Sequence, residues 1–171
     1  IENDNNSESS QYVNSLKNND KIKNIKPLQS AAGSLTNDEI LISLKIFFES
    51  IKYLKSWSND GKISIIYIPS PATSYIWNDP ITYVTRETKN MSGKAIIKTT
   101  SRSKNNLRSL FIRNIIHEFS QENKITFLDA TNIIRKKTNK ILLHGPMDWH
   151  HLNYEGYKSV SNYIIKNIDS D

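Results

Sequence analysis

The chain has no cysteine among its 171 residues, which excludes disulfides, thiolate catalysis and cysteine-ligated metal. It has no apolar run near the ~20 residues that a bilayer-crossing helix needs, so no transmembrane segment is expected. The start reads as no secretory leader, because Ile1 is followed by a polar, acidic run. The absence of an initial Met leads us to expect a mature product or a fragment. No internal repeat is visible. Apolar residues make up 37%, lean for a globular domain, and the deficit falls mainly in the first thirty positions. The remainder is still long enough to bury one core.

The net charge is +6 and the pI is near 9.4. No arginine–aromatic stripe and no known nucleic-acid motif accompany that charge. Lysines on solvated faces account for it, and no nucleic-acid partner is expected.

Residues 1–34 are rich in Asn, Ser and Lys with little periodicity, and they read as a polar, loop-rich segment. Residues 35–171 carry the periodic signals. "TNDE" reads as a capping box, with Thr36 accepting from first-turn amides and Glu39 reaching back. Ile40, Leu41, Leu44, Phe47, Phe48, Ile51 and Leu54 then recur at helical spacing, up to a break near Trp57–Asn59. "KISIIYIPSP" (Lys62–Pro71) is a β-branched run of the kind buried on both faces, stopped by its prolines. From Ala72 to Asn106 the pattern weakens, and we expect a long loop with short elements. Leu107–Asn123 is helical by its apolar face. "KITFLDA" (Lys124–Ala130) reads as a second buried strand and "TNIIRKK" as a short helix capped by Thr131. Val160, Tyr163, Ile164 and Ile168 give a final helix its inner face. This alternation predicts an α/β fold: a three-layer α/β/α arrangement with a mainly parallel sheet, whose ligands gather at the strand carboxyl ends.

The stretch from His144 to His151 holds three of the four histidines, together with Asp148 and Trp149. Asp148 and His151 are spaced so that, in a tight turn, the carboxylate reaches one ring nitrogen of the imidazole. That contact fixes the tautomer and stabilises the imidazolium, leaving the other nitrogen to take a proton from a nucleophile. Asn153 suits the N-cap of the last helix, Gly156 a close approach to a neighbouring element, and Tyr157 inward packing. A metal shell from His144, Asp148, His150 and His151 is the rival. Adjacent histidines seldom reach one ion and no second cluster completes the set, so no metal is expected.

"DWHHLNYEGY" resembles the last conserved block of the SGNH (GDSL-type) hydrolases, Asp-x-x-His followed by Asn and Gly-Tyr. "ISIIYIPSP" is similar to the central strand of one branch of that family and to its Pro-rich exit. "RNIIHEFSQENKITFLDAT" is similar to its helix followed by a strand ending in Asp. The resemblance covers roughly Leu35 to Ile168, and the final block is its specific part. It implies a flavodoxin-like parallel sheet and ester hydrolysis or acyl transfer without a cofactor. It also implies His151 as catalytic base, Asp148 as the carboxylate that orients it, and Asn153, Gly156 and Tyr157 as supporting residues.

The chain departs from the family in lacking the Gly-Asp-Ser that carries the nucleophile. Ser34 follows a glycine, but no buried strand precedes it, and it reads as a turn serine. The oxyanion asparagine of a Gly-x-Asn-Asp motif has two imperfect counterparts, Asn3 in "IEND" and Asn37 in "LTND". Thr36 already caps a helix, so Asn3 is the oxyanion candidate. The expectation is then the C-terminal part of a larger hydrolase, inactive alone, acting on a small-molecule or glycan ester. The alternative is a non-catalytic ligand-binding domain that keeps the hydrolase fold. Neither oligomeric state nor compartment follows from the sequence.

Overall fold

The computed structural model describes residues 14–18, 21–25, 28–29, 35–58, 61–79, 81–89, 95–145 and 149–168. Among them it is a mixed α/β structure of small sheets and five helices. Ser34, Asn3 and Asp148 lie outside the described residues.

Three short strands come first: β1 (Asn14–Asn18), β2 (Lys21–Ile25) and β3 (Leu28–Gln29). The region expected to be loop therefore supplies an antiparallel hairpin, with Leu16 opposite Lys23. The physical reason is tertiary. Leu16, Ile25 and Leu28 are buried against Tyr75 and Trp77, and that burial fixes polar strands whose own propensity is weak.

Helix α1 (Asn37–Trp57) starts on the expected capping box. Thr36 Oγ1 accepts the Glu39 amide at 3.2 Å, and the Glu39 carboxylate accepts the Thr36 amide at 2.7 Å. Strand β4 (Ser64–Tyr67) pairs in parallel with β8 (Thr126–Asp129), setting Tyr67 beside Asp129 at their carboxyl ends. Both strands are shorter than the apolar runs that signal them.

Between these strands lie helix α2 (Pro71–Ser74), strand β5 (Ile76–Trp77), and strands β6 (Ile81–Lys89) and β7 (Ala95–Ser101). The last two form an antiparallel hairpin with Ile81 opposite Ser101, where the sequence predicted a long loop. Their β-branched residues are interleaved with charge, which hides the strand period. β5 pairs with β1, and β3 pairs with β6.

Helix α3 (Arg102–Glu122) begins five positions before the predicted Leu107, because Ser101 caps it by accepting the Lys104 amide at 3.1 Å. In helix α4 (Thr131–Thr138), Ala130 rather than Thr131 is the N-cap. The Asp129 carboxylate takes the capping role instead, accepting the Thr131 amide at 2.9 Å. Helix α5 (Tyr154–Asn167) closes the fold.

The β4–β8 pair is covered on both faces. Ile65 packs with Phe48, Ile116 and Phe119 from α1 and α3. The next residue, Ile66, packs with Ile134 and Val160 from α4 and α5. Successive strand residues point to opposite faces, so a continuous apolar run is what two-sided burial requires. Parallel pairing among the described residues is limited to this pair and the two-residue contact of β3 with β6. Among the described residues the parallel pairing of β4 and β8 is thus two strands wide.

Candidate active site

The segment between α4 and α5 is tied down at its base. His144 and Leu152 form an antiparallel bridge, and the Asn153 amide donates to the Leu143 carbonyl at 2.8 Å. The Asn153 side chain completes the clamp from both of its ends. Its Oδ1 accepts the Gly156 amide at 3.1 Å, capping α5 as expected. Its Nδ2 donates to the Leu142 carbonyl at 2.9 Å. One amide thus fixes the start of a helix to the chain that precedes the turn.

Gly156 does what its place in the sequence predicted. A Cβ there would run into the Leu143 carbonyl oxygen and would meet Leu152 Cβ at 2.8 Å. Helix α5 can lie this close to the Leu143 backbone only without a side chain at that position. Tyr157 differs from expectation: it does not pack inward but is 56% exposed. Gly156, Ser159 and Val160 form the buried face of α5, and position 157 turns away from it.

Leu143 and Leu152 pack against Ala130, the residue that follows β8. The two ends of the segment, Leu143 and Leu152, thus share a core cluster with the residue just past the carboxyl end of β8. His151 lies on that turn and is exposed, as is His150, with ring centroids 6.2 Å apart. Its proposed carboxylate partner, Asp148, falls outside the described residues, as does the oxyanion candidate Asn3.

The most buried histidine is a different one. His144 is 2% exposed, and its Nδ1 lies 3.0 Å from Tyr75 Oη. The same phenol oxygen accepts the amides of Leu143 at 2.9 Å and His144 at 3.0 Å. Two N–H groups point at its lone pairs, and the His144 ring nitrogen is its third polar neighbour. Burial is the main effect on Tyr75 and pushes its hydroxyl above the ordinary tyrosine value, while the two amides pull the other way.

Trp149 packs edge-on against Tyr75, with centroids 6.0 Å apart. It also lies over Gly145, which has φ +70°, and where a Cβ would meet the indole at 2.8 Å. Gly145 thus serves a left-handed backbone and a ring-to-backbone contact together. Sequence reasoning weighed His144 only as a metal ligand and passed over Tyr75. A lone tyrosine in a stretch without period carries no signal of its partners.

A second polar cluster sits at the same end. Asp129 Oδ2 pairs with Arg113 Nη1 at 3.2 Å, and Tyr67 Oη lies 2.7 Å from Ser109 Oγ. Burial raises the Tyr67 hydroxyl, offset in part by the Ser109 hydrogen bond. These contacts join α3 to the carboxyl ends of β4 and β8. No helix among the described residues is long and apolar enough to cross a membrane. No protein-family model matches the chain, and no curated protein and no solved structure matches it either.

Proposed function

We propose that the chain is part of an SGNH-type ester hydrolase or acyl transferase, with a three-layer α/β/α fold and a mainly parallel sheet. The observation that carries the proposal is the clamped turn. Asn153 and Gly156 tie its base to the start of α5, and His151, two residues before Asn153, is exposed. A general base must be held in place while its reactive nitrogen stays open, and a turn fixed at its base meets both needs.

In this mechanism a serine hydroxyl attacks the ester carbonyl. His151 takes its proton and returns it to the leaving alcohol. Water or an acceptor alcohol, deprotonated by His151, then attacks the acyl-serine, and the serine regains its proton. Asp148 orients the imidazole and stabilises its charged form. Asn3 is the side-chain donor to the oxyanion. The sequence holds no Gly-Asp-Ser, so the nucleophile is assigned to residues outside it. No cofactor takes part.

The test is hydrolysis of 4-nitrophenyl acetate by the longest gene product that includes this segment. His151→Ala should lower turnover by roughly 10³-fold or more, while His150→Ala leaves it near wild type. Equal activity in wild type and His151→Ala would exclude His151 as the base.

A further inference from the structure

A cleft of about 300 Å³ opens between α2, the first turn of α3 and the last turn of α4. Its lining includes Arg102 and Asn106 from α3, Arg135, Lys136 and Asn139 from α4, and Thr73 from α2. Three of these are cations, and among the described residues no Asp or Glu lines the cleft. Nor does Arg102 or Lys136 have a carboxylate partner among those residues.

Basic residues near a helix C-terminus commonly just balance the helix dipole. Arg135 behaves otherwise. Its Nε donates to the Thr73 carbonyl at 2.8 Å and its Nη2 to Asn106 Oδ1 at 3.2 Å, so the guanidinium bridges to α2 and α3. Those bonds hold the planar fork in one orientation and leave its remaining N–H groups for a ligand. Arg102 stands at the N-terminal end of the 21-residue helix α3, whose dipole adds further positive potential.

We propose that this cleft binds a small phosphomonoester. Three cations with no carboxylate beside them among the described residues suit a dianion better than a single carboxylate. The fixed guanidinium matches the oxygens of a phosphoryl group, and the Asn106 and Asn139 amides supply neutral contacts beside it. The volume accommodates the phosphate and a small organic body, but not a folded partner. Nothing in this site depends on ester chemistry.

The test is calorimetric titration of the full chain with phenyl phosphate, inorganic phosphate and benzoate at fixed chloride. Both phosphates should bind, and benzoate should bind at least about tenfold more weakly. Arg102→Gln and Lys136→Gln should each weaken phenyl phosphate by about tenfold, while Lys45→Gln on α1 leaves it unchanged. Arg102 and Lys136 are exposed, so both variants should keep the wild-type melting temperature. Inorganic phosphate should also shift the side-chain amide resonances of Asn106 and Asn139. Unchanged affinity in both variants, or benzoate binding as tightly as phenyl phosphate, overturns the proposal. So does a single-stranded oligonucleotide that binds the chain with a steep salt slope and that phenyl phosphate fails to displace.

Discussion

Tyr75 Oη and His144 Nδ1 lie 3.0 Å apart in a site where both residues are almost wholly buried. The same hydroxyl holds the amides of Leu143 and His144, and so one atom organises the chain just ahead of the proposed catalytic turn. Removing it would take from two buried amides the oxygen that accepts them. Tyr75→Phe keeps the ring and its contacts with Trp77 and Trp149, and loses only that atom.

We therefore expect Tyr75→Phe to destabilise the fold by about 2–4 kcal/mol, since each unpaired buried group costs on the order of 1–3 kcal/mol before relaxation. Urea unfolding of the variant against wild type measures it. Tyr157→Phe is the matched control, because Tyr157 is 56% exposed, and it should change stability by less than about 0.5 kcal/mol. An equal effect in the two variants would remove Tyr75 from this role.

The pH dependence follows from the same site. Burial raises the hydroxyls of both Tyr75 and Tyr67 in the folded state. A group with a raised folded pKa binds its proton more tightly when folded. Its stabilisation is complete below the unfolded value, about 10 for tyrosine, and is lost as pH climbs through the folded value. Melting temperature should therefore hold steady on this account up to about pH 9 and fall above about pH 10. Tyr75→Phe, although less stable at neutral pH, should show a shallower alkaline fall. An alkaline slope identical to wild type would show that Tyr75 titrates as freely in the fold as in the unfolded chain.

How legible these features are depends on how far apart the partners lie. Helix α1 can be read because Thr36 and Glu39 are three residues apart and their bonds are local. Asn153 and Gly156 are legible for the same reason. Strands β4 and β8 announce themselves because burial on two faces demands an uninterrupted apolar run. Strands β1 and β2 do not, since Asn and Lys fill most of their positions and their order comes from Leu16 and Ile25 meeting Tyr75 and Trp77. The β6–β7 hairpin is hidden by charge within its strands. Tyr75 is the extreme case: its hydroxyl serves an amide 68 residues away, and nothing around it in sequence hints at that. The Arg135 bridge to Thr73 spans 62 residues and is equally silent.

The two glycines of the turn separate scaffold from chemistry. Gly156→Ala puts a methyl group against the Leu143 carbonyl oxygen and within 2.9 Å of Leu152 Cδ2. The Leu143 oxygen is backbone, and Leu152 Cβ, which the methyl would meet at 2.8 Å, is bonded directly to backbone. The Leu143 carbonyl is held by the Asn153 amide, and Leu152 is in the core with Val160. To relieve the contact, α5 must move off the turn, which stretches the Asn153 bond to Leu142 that ties the helix to the chain ahead of the turn. The helix gains only about 1 kcal/mol of propensity from alanine, whereas overpacking costs about 1–3 kcal/mol. The net result should be a less stable protein, despite a substitution that normally favours helices. Gly145→Ala should be worse, because it adds left-handed strain at φ +70° to a clash with Trp149 at 2.8 Å. Chemical denaturation of both variants gives the ranking. A Gly156→Ala variant as stable as wild type would mean that the helix is not pinned to the chain ahead of the turn.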